Sequence, residues 1–315
     1  MLDSLASASH DRETATEQLE REKHLMTTLI GSRRLRITSS KVKITKVERE
    51  AYRTYAEFRH VHFGFKLRTG IVHVLSQPSD ISKLDKNAIP TWGLSLAPHT
   101  MARDYCRENG IEIGYTVPNQ CPHATEECTA NCLQANGNGR YKSTTLGRVC
   151  KTVFEHVHPD LFKLIVLYEV RSNLAKTLGD MRLRMNVISD RRWELIMPEL
   201  FELRDAYHRL LSVYDYTKFP WLIRSAKVPA NYHLTYSATE HTTTEQVRSM
   251  VDAGLSVAVV IRAKASQLSI PTYHGMAATN GDLHDDRTGD TAGVVLLSAK
   301  GTMRRSPMAK ELVTA

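Results

Sequence analysis

The feature that most constrains the fold is the rhythm after Gly110, where short β-branched runs alternate with amphipathic segments. That alternation marks βα units and a largely parallel sheet. Residues 183–188, 209–214, 232–236, 257–261 and 294–297 are the expected strands. Residues 159–178 read as a helix, because Phe162, Ile165, Val166, Glu169 and Val170 follow a 3.6-residue period despite their β-branched content. Thr242-Thr243-Thr244-Glu245 reads as a capping box that opens another helix, with Gly254 as its stop. No sequence repeat of fixed period is present, which disfavours a solenoid or propeller.

The chain has 315 residues, and an α/β barrel uses about 200–250. The expected architecture is therefore a partial or complete (β/α) barrel-like parallel sheet with an N-terminal appendage. Its expected divisions are a mobile polar arm at 1–30, a basic appendage at 31–109, a cysteine-cluster α/β domain at 110–305 and a tail at 306–315. Hydrophobic residues make up 42% and charged residues 24%, which suits a packed core rather than disorder. Within the appendage, KVKITKV at 41–47 alternates as a half-exposed strand would, and 51–60 places aromatic residues at helical intervals.

No apolar run approaches the roughly 18 residues needed to cross a bilayer. The opening MLDSLASASHDRE lacks the basic and apolar regions of a signal peptide, so the expectation is a cytoplasmic protein with no membrane partner. With five cysteines and no export signal, ligation or catalysis is a better reading of any cysteine cluster than a disulfide framework.

Such a cluster is present. In Cys121-Pro-His-Ala-Thr-Glu-Glu-Cys128-Thr-Ala-Asn-Cys132 three thiols fall within twelve polar residues, a poor setting for small buried hydrophobes. If a helix begins near Thr125, Cys128 and Cys132 stand at i and i+4 on one face, and Cys121 reaches over from the loop before it. Two metal centres suit this set. Zinc takes the three sulfurs with His123 as fourth ligand. An iron–sulfur cluster on three cysteines leaves one iron open to substrate or cofactor.

Chemistry in barrel-like folds gathers where the strands end. Ser189 and Asp190 follow one expected strand, Asp215, Tyr216 and Lys218 the next, and Ser237 and Glu240 the third, while Asn280 and Asp282 precede the last. Asp190, Asp215, Lys218, Glu240 and Asp282 are the candidate catalytic groups. Ser189, Tyr216, Ser237 and Asn280 are the candidate cofactor contacts. The local alternative for Asp190 is a cap on the helix that contains Trp193.

The formal net charge is +8, concentrated between Arg33 and Arg59, where nine Lys and Arg face three Glu. Tyr52, Tyr55 and Phe58 are interleaved there, which makes this stretch a candidate nucleic-acid surface, with zinc then purely structural. A third reading is a metal-dependent hydrolase built on Asp190, Glu240, Asp282 and His284, although neither HExxH nor a Walker motif is present.

From Cys121 to Arg305 the chain closely resembles the actinobacteriophage family catalogued as gene product 88, whose function is unassigned. The matching pieces, in order, are CPHATEEC, ANCL, GRY, RVCKTVFE, RLRMNVISDRRWE, YDYTK, ANYHLTYSATE, VAVVI, NGDLHDDR and GVVLLSAKG. This resemblance implies a phage protein at work in the host cytoplasm. More distantly, a cysteine cluster followed by βα units is similar to radical-SAM proteins, which implies an iron–sulfur cluster, S-adenosylmethionine and a partial barrel acting on a small-molecule or macromolecular substrate. The spacing departs from that family's CxxxCxxC, since six and then three residues separate the cysteines here.

Overall fold

The structure, a computed structural model, describes residues 41–113, 117–135, 141–205, 207–220 and 228–313. The expected arm at 1–30 lies outside them, as do Arg33, Arg34 and Arg36 of the basic stretch.

Among the described residues, seven helices and eight strands make a mixed α/β fold. The helices are α1 (Lys46–Phe63), α2 (His99–Glu108), α3 (Glu126–Ala130), α4 (Lys142–Val157), α5 (Pro159–Lys176), α6 (Trp193–Ile196) and α7 (Thr244–Asp252). The strands are β1 (Thr91–Gly93), β2 (Arg182–Arg184), β3 (Ser212–Thr217), β4 (Tyr232–Ser237), β5 (Ser256–Ile261), β6 (Thr272–Tyr273), β7 (Met276–Asn280) and β8 (Gly293–Ser298). They form one sheet in the order β1-β2-β3-β4-β5-β8-β7-β6. Every pairing is parallel except that of β6 with β7. Strands β1 to β5 lie side by side in chain order, the winding expected of a barrel-like sheet. No pairing joins β1 to β6 among the described residues.

The expected strands 232–236, 257–261 and 294–297 match β4, β5 and β8 to within a residue. The strand expected at 209–214 begins three residues later. Asp205 holds a turn ahead of it, its carboxylate accepting from the backbone of Tyr207 at 2.8 Å and of Arg209 at 2.9 Å. The strand expected at 183–188 ends at Arg184, after which the chain leaves the sheet for a polar loop. The capping box at α7 is formed by Thr243 and Gln246, one residue beyond the expected pair, and Gly254 follows in the left-handed region at φ +86°.

The segment 41–47 is not a strand. Thr45 and Glu48 form a reciprocal capping box, with Glu48 Oε2 2.7 Å from Thr45 N and Thr45 Oγ1 3.2 Å from Glu48 N, and α1 begins between them. The capping signal outweighs the short alternation. Tyr52, Tyr55 and Phe58 turn inward from α1 and are only 2–7% exposed, so they serve the core and are unavailable to stack on bases. The segment 31–109, expected as an appendage, contributes α1 and α2 to the helical layer and β1 to the sheet.

Helix α5 is apolar nearly all round and packs against α1 and α4, which makes it the centre of the helical layer. Its one buried acid, Glu169, accepts hydrogen bonds from Val74 N and Leu75 N at 2.8 Å each and from the Tyr52 hydroxyl at 3.0 Å. A carboxylate so supplied with donors is tolerated in a core. A second, smaller core lies under α7, between Val247, Val257, Val259, Val294 and Leu296. No helix among the described residues is long and apolar enough to cross a membrane.

Candidate functional site

The parallel strands end together, and the cysteine segment lies against that edge. Thr125 caps α3, its hydroxyl accepting from Cys128 N at 3.3 Å, so α3 begins where the sequence places it. It stops at Ala130, and Cys132 stands beyond the C-cap Asn131 instead of one helical turn above Cys128.

Three strand ends hold the segment. Thr125 Oγ1 donates to Glu240 Oε2 at 2.8 Å, and Glu127 N donates to Glu240 Oε1 at 3.4 Å, which fastens α3 to the loop after β4. Asp190 N donates to Gln120 O at 2.8 Å, and the Cys121 thiol lies 3.6 Å from Ile188 O, both in the loop after β2. Asp190 in turn accepts from Thr217 Oγ1 at 2.8 Å and Lys218 N at 2.7 Å, which joins that loop to the end of β3. Asp190 does not cap α6, whose N-cap is Arg192.

The thiols are close enough to act on one another electrostatically. Burial pushes the Cys121 thiol up to about 12, and the negative charge of Asp190, Cys128 and Cys132 adds to the shift. Cys128 is also raised by burial, opposed by the ammonium of Lys218. Among the described residues, no three His, Cys, Asp or Glu side chains are arranged as a metal-holding group. The ring of His123, the fourth ligand expected for zinc, packs on Phe219 with centroids 4.2 Å apart.

The other candidates divide into two groups. Ser189, Asp190, Lys218 and Glu240 lie around the thiols. Ser189 is spent on Asn186 Oδ1 at 2.9 Å. Burial alone would raise the Glu240 carboxyl, but hydrogen bonds from backbone, Thr125 and Glu127 outweigh it and hold the group below its usual range. Asp215 is completely buried and points into the core, where it accepts from Asn186 N at 2.6 Å, Asn186 Nδ2 at 3.3 Å and the Tyr232 hydroxyl at 2.7 Å. It is a structural junction.

Asn280, Asp282 and His284 belong to a separate network at β7 and β8. Asn280 donates to Ala265 O and Ser269 Oγ, Asp282 pairs with Lys300 at 2.9 Å and accepts from Ser298 N, and His284 contacts Asp286 O and Arg287. No hydrogen bond or ion pair among these contacts links Asp282 or His284 to Asp190 or Glu240, so the hydrolase constellation is not assembled. Tyr216 faces the side of the sheet that carries Arg184, whose guanidinium lies 4.9 Å from the tyrosine ring, and Ser237 closes β4.

Asn186 and Gln120 are the residues that sequence reading misses. Asn186 Oδ1 accepts from Ser189 Oγ, Arg191 N and Trp193 Nε1, and its amide serves Asp215, so one side chain shapes the loop after β2. Gln120 receives Arg191 at 3.0 Å. Gln120 acts through a partner 71 residues away, and Asn186 joins its own loop to Asp215 on β3, a link that no local pattern announces. Thr125 does have a local signal, as a threonine before an acidic helical turn.

The arrangement is a thiol loop clamped over the ends of parallel strands, with a lysine and two hydrogen-bonded carboxylates beside it. Neither the curated proteins nor the solved structures provide a match to the chain. The family model described as Gene product 88 matches residues 74–311. This span covers the thiol loop and every strand-end residue discussed above, and the chain belongs to the Gene product 88 family of phage proteins.

Proposed function

We propose that this phage protein works through the thiol loop, with Cys121, Cys128 and Cys132 holding an iron–sulfur centre over the end of the sheet. The observation that carries the reading is the clamp itself. Residues 120–127 are tied to the loops after β2 and β4 by Gln120–Asp190, Thr125–Glu240 and Glu127–Glu240, which puts three thiols on the edge where parallel α/β sheets place their chemistry.

The donor chemistry suits such a centre, three soft sulfurs with no competing disulfide among them. The side-chain positions described above do not themselves form a metal-holding group, so the reading stands or falls on metal content. A bound cluster supplies redox chemistry and an open iron. In this reading the chain's own residues position it: Glu240 fixes α3, Asp190 fixes the loop beneath Cys121, and Lys218 offers a positive charge to Cys128.

Protein purified without oxygen is expected to carry iron and acid-labile sulfide and to absorb visible light, with all three lost in Cys128→Ala. Colourless native protein with stoichiometric zinc, or with no metal, overturns the proposal.

A further inference from the structure

The loops around the thiol edge also carry five lysines and arginines outside any ion pair among the described residues, on the solvent side of the hydrogen-bonded carboxylates of Asp190 and Glu240. Lys218 follows β3, Lys264 follows β5, Arg304 and Arg305 follow β8, and Lys310 lies beside the end of β5, where its backbone bridges Ile261. Their neighbours Arg192, Arg262 and Lys300 are paired with Glu194, Glu311 and Asp282, but these five make no ion pair among the described residues. The segments leading into β2, β3 and β5 at the opposite edge carry Asp180, Asp205 and Asp252 beside Arg204 and Arg209.

Two contacts bring the basic segment against the thiol helix and the loop after β4 that anchors it. Ser306 Oγ donates to Glu127 Oε2 at 2.5 Å, and Lys310 Nζ donates to Glu240 O at 3.1 Å. On the other flank Phe219 is half-buried beside the exposed His123, with the Arg192 guanidinium 5.9 Å from the phenyl ring. Cations contributed by separate loops, with an accessible aromatic pair at one side, are what a single strand of nucleic acid requires: phosphates meet the charges and an unstacked base meets the rings.

We propose that this edge is a docking face for single-stranded nucleic acid, with Lys264, Arg304, Arg305 and Lys310 on the phosphates and Phe219 with His123 against a base. The surface differs from the basic stretch on α1, whose aromatic residues are buried. Docking needs no metal, so it is separable from the iron–sulfur reading.

The test is fluorescence anisotropy of the full chain with a labelled oligothymidylate of about 20 nucleotides, at about 50 and about 200 mM salt. Four phosphate contacts at a slope of ~0.7 each weaken binding about 50-fold over that range. Replacing the exposed pair Arg304→Ala and Arg305→Ala should lower the slope by roughly 1.4 with the thermal transition unchanged. Phe219→Ala should weaken binding about 5- to 100-fold while leaving the slope alone. Absent or salt-insensitive binding overturns the proposal. So does tighter binding to a duplex or to phosphatidylglycerol vesicles, or a loss of affinity in Lys43→Ala with Arg49→Ala but not in the Arg304 and Arg305 variant.

Discussion

Thr125 Oγ1 donates to Glu240 Oε2 at 2.8 Å across 115 residues of sequence, while the same hydroxyl accepts from Cys128 N. One side chain thus caps the thiol helix and anchors it to β4. Thr125→Ala removes both bonds and should cost about 2–4 kcal/mol, the sum of a lost cap and a hydrogen bond to a charged group. Thr125→Ser should restore most of it. A double-mutant cycle with Glu240→Ala, read by denaturant unfolding, should give a coupling of about 1 kcal/mol. Additivity would show that the two residues act independently.

Glu240 also makes the clamp sensitive to acid. Its carboxyl is held below the usual value by bonds that only the charged form accepts fully. Their contribution is complete above the unfolded value of about 4.5 and is lost as pH falls through the lower folded value. Amide exchange in 121–130 should accelerate relative to β5 between about pH 5 and pH 3. Glu240→Gln should remove that pH dependence, and unchanged relative exchange in the native chain would refute it.

Asp215 carries a prediction of the opposite kind. As a core junction it should matter for stability whatever the protein does. Asp215→Ala strands Asn186 and the Tyr232 hydroxyl without their acceptor and should cost about 2–4 kcal/mol, against about 1 kcal/mol for Tyr232→Phe. Thermal unfolding measures both. A stable but inactive Asp215→Ala protein would return this residue to the site.

Much of this fold is visible in the sequence, for reasons that also explain what is hidden. Strands β4, β5 and β8 are runs with a period of two or continuous β-branched character, and burial on both sides demands that composition. β1 is three residues long, and β6 and β7 meet at a two-residue turn of His274 and Gly275, both at positive φ, so neither makes a run long enough to recognise. The position of Asp190 and Glu240 at the sheet's edge is readable in the sequence, because polar residues in the loops after strands fall where loops converge. The partners of Asp215 are not readable there: it is polar and near a strand end, but alternation turns it inward, where only the folded chain supplies Asn186 and Tyr232.

The Glu169 junction gives a second pH prediction. His73 Nδ1 lies 3.4 Å from Glu169 Oε1, and hydrogen bonding to that carboxylate raises the imidazole above its usual value, against the opposing effect of burial. A raised histidine stabilises fully below its unfolded value of about 6.5, and the contribution fades as pH rises through the folded value. Because the ring is about half exposed, the effect should be a fraction of a kcal/mol. Unfolding midpoints of the native chain and His73→Gln should differ most below pH 6 and converge above about pH 8. A constant difference would place His73 outside the junction.

Gly179 and Gly254 offer a controlled comparison, since both lie in the left-handed region, at φ +91° and +86°. A Cβ on Gly254 meets nothing within 4 Å, so Gly254→Ala bears only the backbone penalty of about 1–2 kcal/mol. A Cβ on Gly179 would fall 2.1 Å from Asp205 Oδ2, and that carboxylate cannot swing aside. It is bound to Arg209 Nε at 2.6 Å and to the backbone nitrogens of Tyr207 and Arg209, the turn that sets the start of β3. Gly179→Ala must therefore break the turn or displace the chain entering β2, and should cost at least 2 kcal/mol more than Gly254→Ala, about the worth of a charged hydrogen bond. Denaturant midpoints of the two variants measure the difference. Asp205→Ala should narrow it, because the space the carboxylate occupied then accepts the added methyl group.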